Sequence, residues 1–281
     1  FSMSAVTEDL GCLSADTIQE VGADIMFLGP DGLRTLSSTD RIGDFGIDVA
    51  SKNIRPTVGK LQDYAASFSS TVIRGKAQYR LFAYVEGEQS KIAKGVLGTK
   101  FVDQGGQGFQ WAETKGFKVY VADSQFIGED EYRVFANNDG YVYNMDSGTS
   151  LDGENIDAIY ESPYMPINDP QVRKTFYKLD FYIKPFGAIN IKAGIRFNQN
   201  KVGYIQPSTF NITQTGGATG IYSDNTTKFG SAVFGAPRTQ SYINQVVGSG
   251  ETIAIRIEDK SSDASFLLDT AIFEFATEDR Q

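Results

Sequence analysis

Histidine is absent from the 281 residues. That removes Ser-His-Asp and Cys-His catalysis, His-ligated zinc and ordinary imidazole general-base chemistry, and leaves only carboxylate chemistry easy to build. Cysteine occurs once, at Cys12, so these residues can form no internal disulfide and no cysteine-rich metal cluster. Long Ala/Leu/Glu/Lys helical stretches are missing, and no apolar run is long enough to cross a bilayer as a helix. Positive charge is also scarce, with 26 Lys and Arg against 35 Asp and Glu and a net charge of −9. A protein that grips DNA or RNA through phosphates is normally basic, so stable nucleic-acid binding is disfavoured. An acidic surface serves solubility, or a pore wall that DNA passes without being held. The chain opens at Phe1 in strand-like text that does not read as a signal peptide. We therefore expect an N-terminal portion to be missing and the first domain to be incomplete.

What the chain does have is glycine (29), phenylalanine (20) and tyrosine (14), a balance that favours strands joined by tight turns. Residues 24–36 and 132–145 share a pattern in which Phe27 and Phe135 precede Asp31-Gly32 and Asp139-Gly140 by the same interval. Asp-Gly supplies positive-φ positions, so both segments predict hairpins of similar design. Strands are predicted at Tyr79–Val85, Gly95–Val102, Phe109–Glu113 and Phe117–Ala122. Sheets of about four strands in succession are the texture of a β-propeller. Asp48–Phe68 differs: Val58, Leu61, Tyr64 and Ala65 have helical spacing, and Pro56 and Gly59 are expected to break it into a turn or short helix followed by a second short helix.

Near residue 160 the texture changes, with three prolines between Ser162 and Pro170. Longer strands are predicted beyond it, at Lys174–Ile183, Ile189–Phe197, Gly220–Tyr222 with Phe229–Phe234, Ser241–Val247, Thr252–Glu258 and Phe266–Phe275. The expected fold is all-β: propeller-like blades over 1–160, incomplete at the N-terminus, one short helical connection, and an antiparallel β-sandwich over 161–281.

Four features could carry chemistry. Gly128-Glu129-Asp130-Glu131 offers carboxylates for a cation or an acid/base pair, but lacks calcium-loop spacing and reads as a solvated loop before a strand. Asn137-Asn138-Asp139-Gly140 resembles half a calcium loop and is explained by hairpin geometry. Gly105-Gly106-Gln107-Gly108 lacks the Lys-Ser/Thr pair and helix of a phosphate loop and reads as a turn. Trp111, Tyr160, Tyr164 and Tyr222 could stack sugar rings, although most aromatics of a β-protein fill its core. Asn211-Ile212-Thr213 and Asn225-Thr226-Thr227 match a glycosylation acceptor that matters only in a secreted eukaryotic protein. No catalytic, cofactor-binding or metal-ligating residue is assigned, and the chain is expected not to be an enzyme.

The run from Ala23 to Thr39, with Asp31-Gly32-Leu33-Arg34 at its centre and Ser51-Lys52-Asn53-Ile54 after it, resembles a segment of phage tail and neck proteins built on propellers. Glu161-Ser162-Pro163 followed by Arg173–Tyr182 is similar to the junction by which those proteins enter a terminal sandwich, and the stretch from Ile272 to Arg280 is similar to their ending. The resemblance implies the tail nozzle (tail tubular protein B) class of short-tailed phages. It further implies a virion protein forming rings, usually hexameric, through which DNA is ejected, with tail adaptor and tail fibre proteins as neighbours, no cofactor, no membrane segment and no catalytic residues. A carbohydrate- or receptor-binding module, with or without carboxylate glycosidase activity, is the alternative; a bacterial adhesion or surface-layer protein is a third reading.

Overall fold

The computed structural model of the chain describes residues 10–42, 49–86, 94–103, 106–116, 118–201, 203, 205–214 and 238–277. Phe117, Gly105, Tyr222, Asn225 and the expected strands at 220–222 and 229–234 lie outside these residues. Antiparallel strands dominate, and the chain divides into two units between Gly148 and Thr149.

The first unit is three antiparallel meanders in chain order. β1 (Gln19–Val21), β2 (Asp24–Gly29) and β3 (Gly32–Thr35) form the first. Two helices follow, α1 (Leu36–Ile42) and α2 (Arg55–Tyr64). The second meander is β4 (Ser67–Ile73), β5 (Gln78–Tyr84), β6 (Gly95–Asp103) and β7 (Gly106–Thr114), and the third is β8 (Val121–Ile127), β9 (Asp130–Ala136) and β10 (Val142–Asn144). Within each sheet, every strand pairs with its neighbour in sequence. β4 also lies against both β1 and β8, so the first strands of the three meanders stand side by side. Ser69 on β4 accepts a hydrogen bond from the Ala122 N–H on β8 at 2.9 Å.

Alternation of apolar residues explains the packing. Met26, Leu28 and Leu33 of the first sheet meet Tyr79, Leu81 and Val96 of the second in one core, with Val58 and Leu61 of α2 closing it. Phe82 turns from the other face of β5 to meet Val119, Ala122 and Met145 in a smaller core beneath the third sheet. Tyr79 is fully buried, and its hydroxyl donates to the Thr17 carbonyl at 2.8 Å; burial pushes its ionisation well above the ordinary tyrosine value.

Two local expectations need correction, and one stretch with no reading of its own proves helical. The two-part reading of 48–68 holds, with a short 3-10 turn at Lys52–Ile54 before α2, but the break does not fall at Pro56 and Gly59. Pro56 occupies the first turn of α2, where no intrahelical N–H is needed, and the helix continues through Gly59. The Ser-rich stretch after β3 forms α1, whose Ser37 N–H and hydroxyl both donate to the Asp24 carboxylate. The two Asp-Gly hairpins also differ in design. Gly29 pairs with Gly32, leaving a two-residue turn at Pro30-Asp31, whereas β9 and β10 are joined by the longer loop 137–141. In both hairpins it is the glycine, not the aspartate, that has positive φ.

The second unit contains two antiparallel sheets. β11 (Ile156–Glu161), β16 (Ile253–Ser261), β13 (Ile189–Phe197) and β14 (Phe210–Gln214) lie in that order in one; β15 (Gln240–Gly250), β12 (Lys174–Pro185) and β17 (Phe266–Thr277) form the other. One apolar core takes residues from both, among them Phe176, Phe181, Ile191, Phe197, Val246 and Ile255. The ladders of this sheet slip at three places: Tyr177 is an extra residue of β12 against β17, β15 sets Val246 and Val247 against that one residue of β12, and Asp269 is an extra residue of β17. The stretch 156–161, placed by sequence before the boundary, pairs with β16 and belongs to this unit.

Candidate functional site

The most concentrated polar chemistry lies where the third meander meets the second. Arg80 projects from β5 among apolar neighbours, and only 8% of its side chain is exposed. Its guanidinium donates to both oxygens of Asp146, at 2.8 and 2.7 Å. Lys76 donates to the same carboxylate at 2.7 Å, and Arg133 of β9 approaches at 3.5 Å. Burial alone would raise the Asp146 ionisation, but hydrogen bonds and charge from Arg80 and Lys76 outweigh it and hold the carboxyl at about 2. Asp146 has φ of 58°, which aims its side chain back from the end of β10 toward β5.

Glu131 makes a second link between these sheets. It accepts the backbone N–H groups of Arg74 and Gly75, at 2.5 and 3.0 Å, and the Ser124 hydroxyl at 3.1 Å. These bonds outweigh partial desolvation and lower its ionisation. The acidic run 129–131 therefore does not converge on one point: Asp130 opens β9, and Glu131 clasps the β4–β5 turn. Among the described residues no group of three or more Cys, Asp or Glu side chains could hold a metal ion. Asp139 accepts the Tyr141 N–H at 3.0 Å and the Tyr143 hydroxyl at 2.8 Å, and these bonds lower its ionisation.

The segment carrying the sequence resemblance folds as one latched piece. Ser51 is buried, and its hydroxyl accepts the Leu33 N–H at 2.9 Å. Gly32 has φ of 138°, and a Cβ there would come within 2.6 Å of Ser51 Oγ and 2.8 Å of Val49 Cγ1. Asp31 accepts two bonds from buried Arg34, at 2.9 and 2.6 Å, which hold its carboxyl below the usual range. The hairpin and the Ser-Lys-x-Ile element are thus fitted to each other. Ser51→Ala is expected to cost about 1–2 kcal/mol by stranding the buried Leu33 amide; equilibrium urea unfolding would measure it, and an unchanged midpoint would show that the latch adds no stability.

Trp111 is engaged: its indole N–H donates to the Ala50 carbonyl at 2.8 Å, and its ring lies against Phe109 at 5.6 Å. Tyr160 is exposed on β11, and Tyr164 is partly buried. Asn211 lies exposed on β14. Gly106 and Gly108 belong to β7, on the return side of the β6–β7 hairpin. Sequence reasoning passed over Arg80 and Lys174. Lys174 is fully buried, and its ammonium donates to the carbonyls of Asp169 and, at 3.2 Å, Glu251. For Arg80 the signal was legible, a lone cation in the run Tyr79–Tyr84, whereas its partner lies far along the chain. No protein-family model matches this chain, and no curated protein matches it.

Proposed function

We propose that the chain is a non-enzymatic structural subunit of a bacteriophage tail, of the nozzle or hub type, assembling into a ring around the DNA ejection channel. In this reading the three meanders of the first unit are consecutive blades of a partial β-propeller, and the second unit is a β-sandwich. The carrying observation is the fit between the hairpin 24–35 and Ser51, because the two halves of the motif that resembles the tail proteins are one packed unit. Side-by-side placement of β1, β4 and β8 supports the blade reading, since first strands of successive blades gather round a propeller axis. The net charge of −9 suits a channel that DNA crosses without being held. Among the described residues no helix is long and apolar enough to cross a membrane. Partners in this reading are further copies of the chain, about six to a ring, with tail adaptor and fibre proteins as neighbours in the virion.

A carbohydrate-binding reading draws on one observation: Tyr141 is 68% exposed beside Asn137, Asp139 and the Tyr143 ring. Light scattering with negative-stain imaging separates the two. Closed rings are the expected result, and a persistent monomer that binds glycans on an array, and loses binding in Tyr141→Ala, would replace the ring reading with the second.

A further inference from the structure

In the second unit the two sheets end differently. The sheet of β11, β16, β13 and β14 has short edges, of 6 and 5 residues. The other sheet has long ones: β15 has 11 residues and β17 has 12, and among the described residues each is laddered only to β12. Along the regular part of such a strand every second amide and carbonyl faces away from its partner, and folded proteins normally blunt long edges with charge, proline, bulges or cover. β15, Gln-Ser-Tyr-Ile-Asn-Gln-Val-Val-Gly-Ser-Gly, has no charge and no proline; a single bulge at Val246–Val247 interrupts it, and Val247 is 86% exposed. β17 also lacks proline and lysine, and its Asp269 and Glu274 are exposed.

We propose that the β15 edge of one copy pairs with the β17 edge of the next, joining the three-stranded sheets of neighbouring subunits into one continuous sheet. The occupant follows from the chemistry: only another extended strand satisfies a row of alternating N–H and C=O groups. The choice of edge follows from topology and charge. β15 and β17 each run antiparallel to β12 and therefore parallel to one another. A rotation that repeats the sheet sets β17 beside the next β15 as a parallel pair, a head-to-tail contact that a ring closes. Pairing β17 with β17 would instead crowd the carboxylates of two copies, whereas β15 presents them no charge. Of these, Glu274 is answered by Lys178 at 2.7 Å and Asp269, among the described residues, only by the Thr239 hydroxyl at 2.6 Å. At about 3.3 Å per residue the shared edge is on the order of 35 Å long.

The inference rests on the ring reading, and the two can fail separately. Hydrogen exchange on the full chain, assembled and diluted, would follow β15 and β17 directly. Assembly is expected to protect alternate amides along both strands. The variant Val247→Glu, at a side chain 86% exposed, should weaken assembly about tenfold or more by facing the acidic β17. Adding copies that carry Asp269→Lys should restore it, which a misfolded variant could not do. Rings in which both strands exchange as in the diluted chain would overturn the edge pairing and leave the ring reading standing. A chain that stays monomeric throughout would overturn both.

Discussion

Phe197→Ala is expected to destabilise the second unit by about 3–5 kcal/mol, the cost of emptying a large buried site that its surroundings cannot refill. The Phe197 ring is fully buried and lies 5.4 Å from Phe176, which in turn packs on Phe275 at 5.5 Å. Two glycines also lie against it: a Cβ at Gly248 or Gly250 would come within 2.5 or 2.8 Å of Phe197 side-chain atoms. β15 can approach β13 here only because those two residues have no side chain, and so it has nothing to move into the void. The same geometry gives a control. Gly248→Ala is expected to destabilise the native chain through its clash with the ring, and to cost much less, or to stabilise, in the Phe197→Ala background. Denaturant unfolding of the four proteins would measure that coupling. Additive effects would mean that ring and glycine do not compete for one space.

Periodicity made five of the seven described strands of the second unit legible, β11 and β14 being the exceptions. Ile189–Phe197 is β13 as read, and 174, 241, 252 and 266 each lie within a residue of an observed strand start. These are long alternating runs that meet in one core, so local pattern and tertiary packing agree. Where they disagreed, the reading slipped. Ser67–Ile73 has three serines and a threonine, too polar to announce the strand β4, yet Ser69 and Ser70 are buried because each makes a specific hydrogen bond, to Ala122 and to the Asp16 carbonyl. Ile156–Glu161 was overlooked because all six residues are exposed; what makes it a strand is its ladder to β16, about a hundred residues away in the sequence. The polar links between the second and third meanders were out of reach for the same reason. Arg80 and Asp146 each look ordinary, and their pairing exists only once the sheets are stacked.

That pairing carries the second large effect. Asp146→Asn is expected to destabilise the first unit by about 2–4 kcal/mol near neutral pH, because it leaves the buried Arg80 guanidinium without its counter-charge. Asparagine tolerates the left-handed backbone at φ of 58°, so the change removes charge without adding strain. Lys76→Met, at a lysine 46% exposed, should cost less than about 1 kcal/mol, since water already screens that partner. The acid dependence has a definite sign. The Asp146 carboxyl is held at about 2 in the folded chain against an ordinary 3.8, so its contribution is complete above about pH 4 and is lost as the pH falls toward 2. With 24% of the side chain open to solvent, that titrating share is about 1–2 kcal/mol. The gap between native chain and Asp146→Asn should therefore narrow by about that amount between pH 7 and pH 2, because protonation gives the native chain the same uncharged side chain. Comparing the two proteins at each pH cancels every other titrating group. A gap of equal size at both ends would show that Asp146 works through shape and hydrogen bonding alone, and that the lowered ionisation contributes nothing to holding the two meanders together.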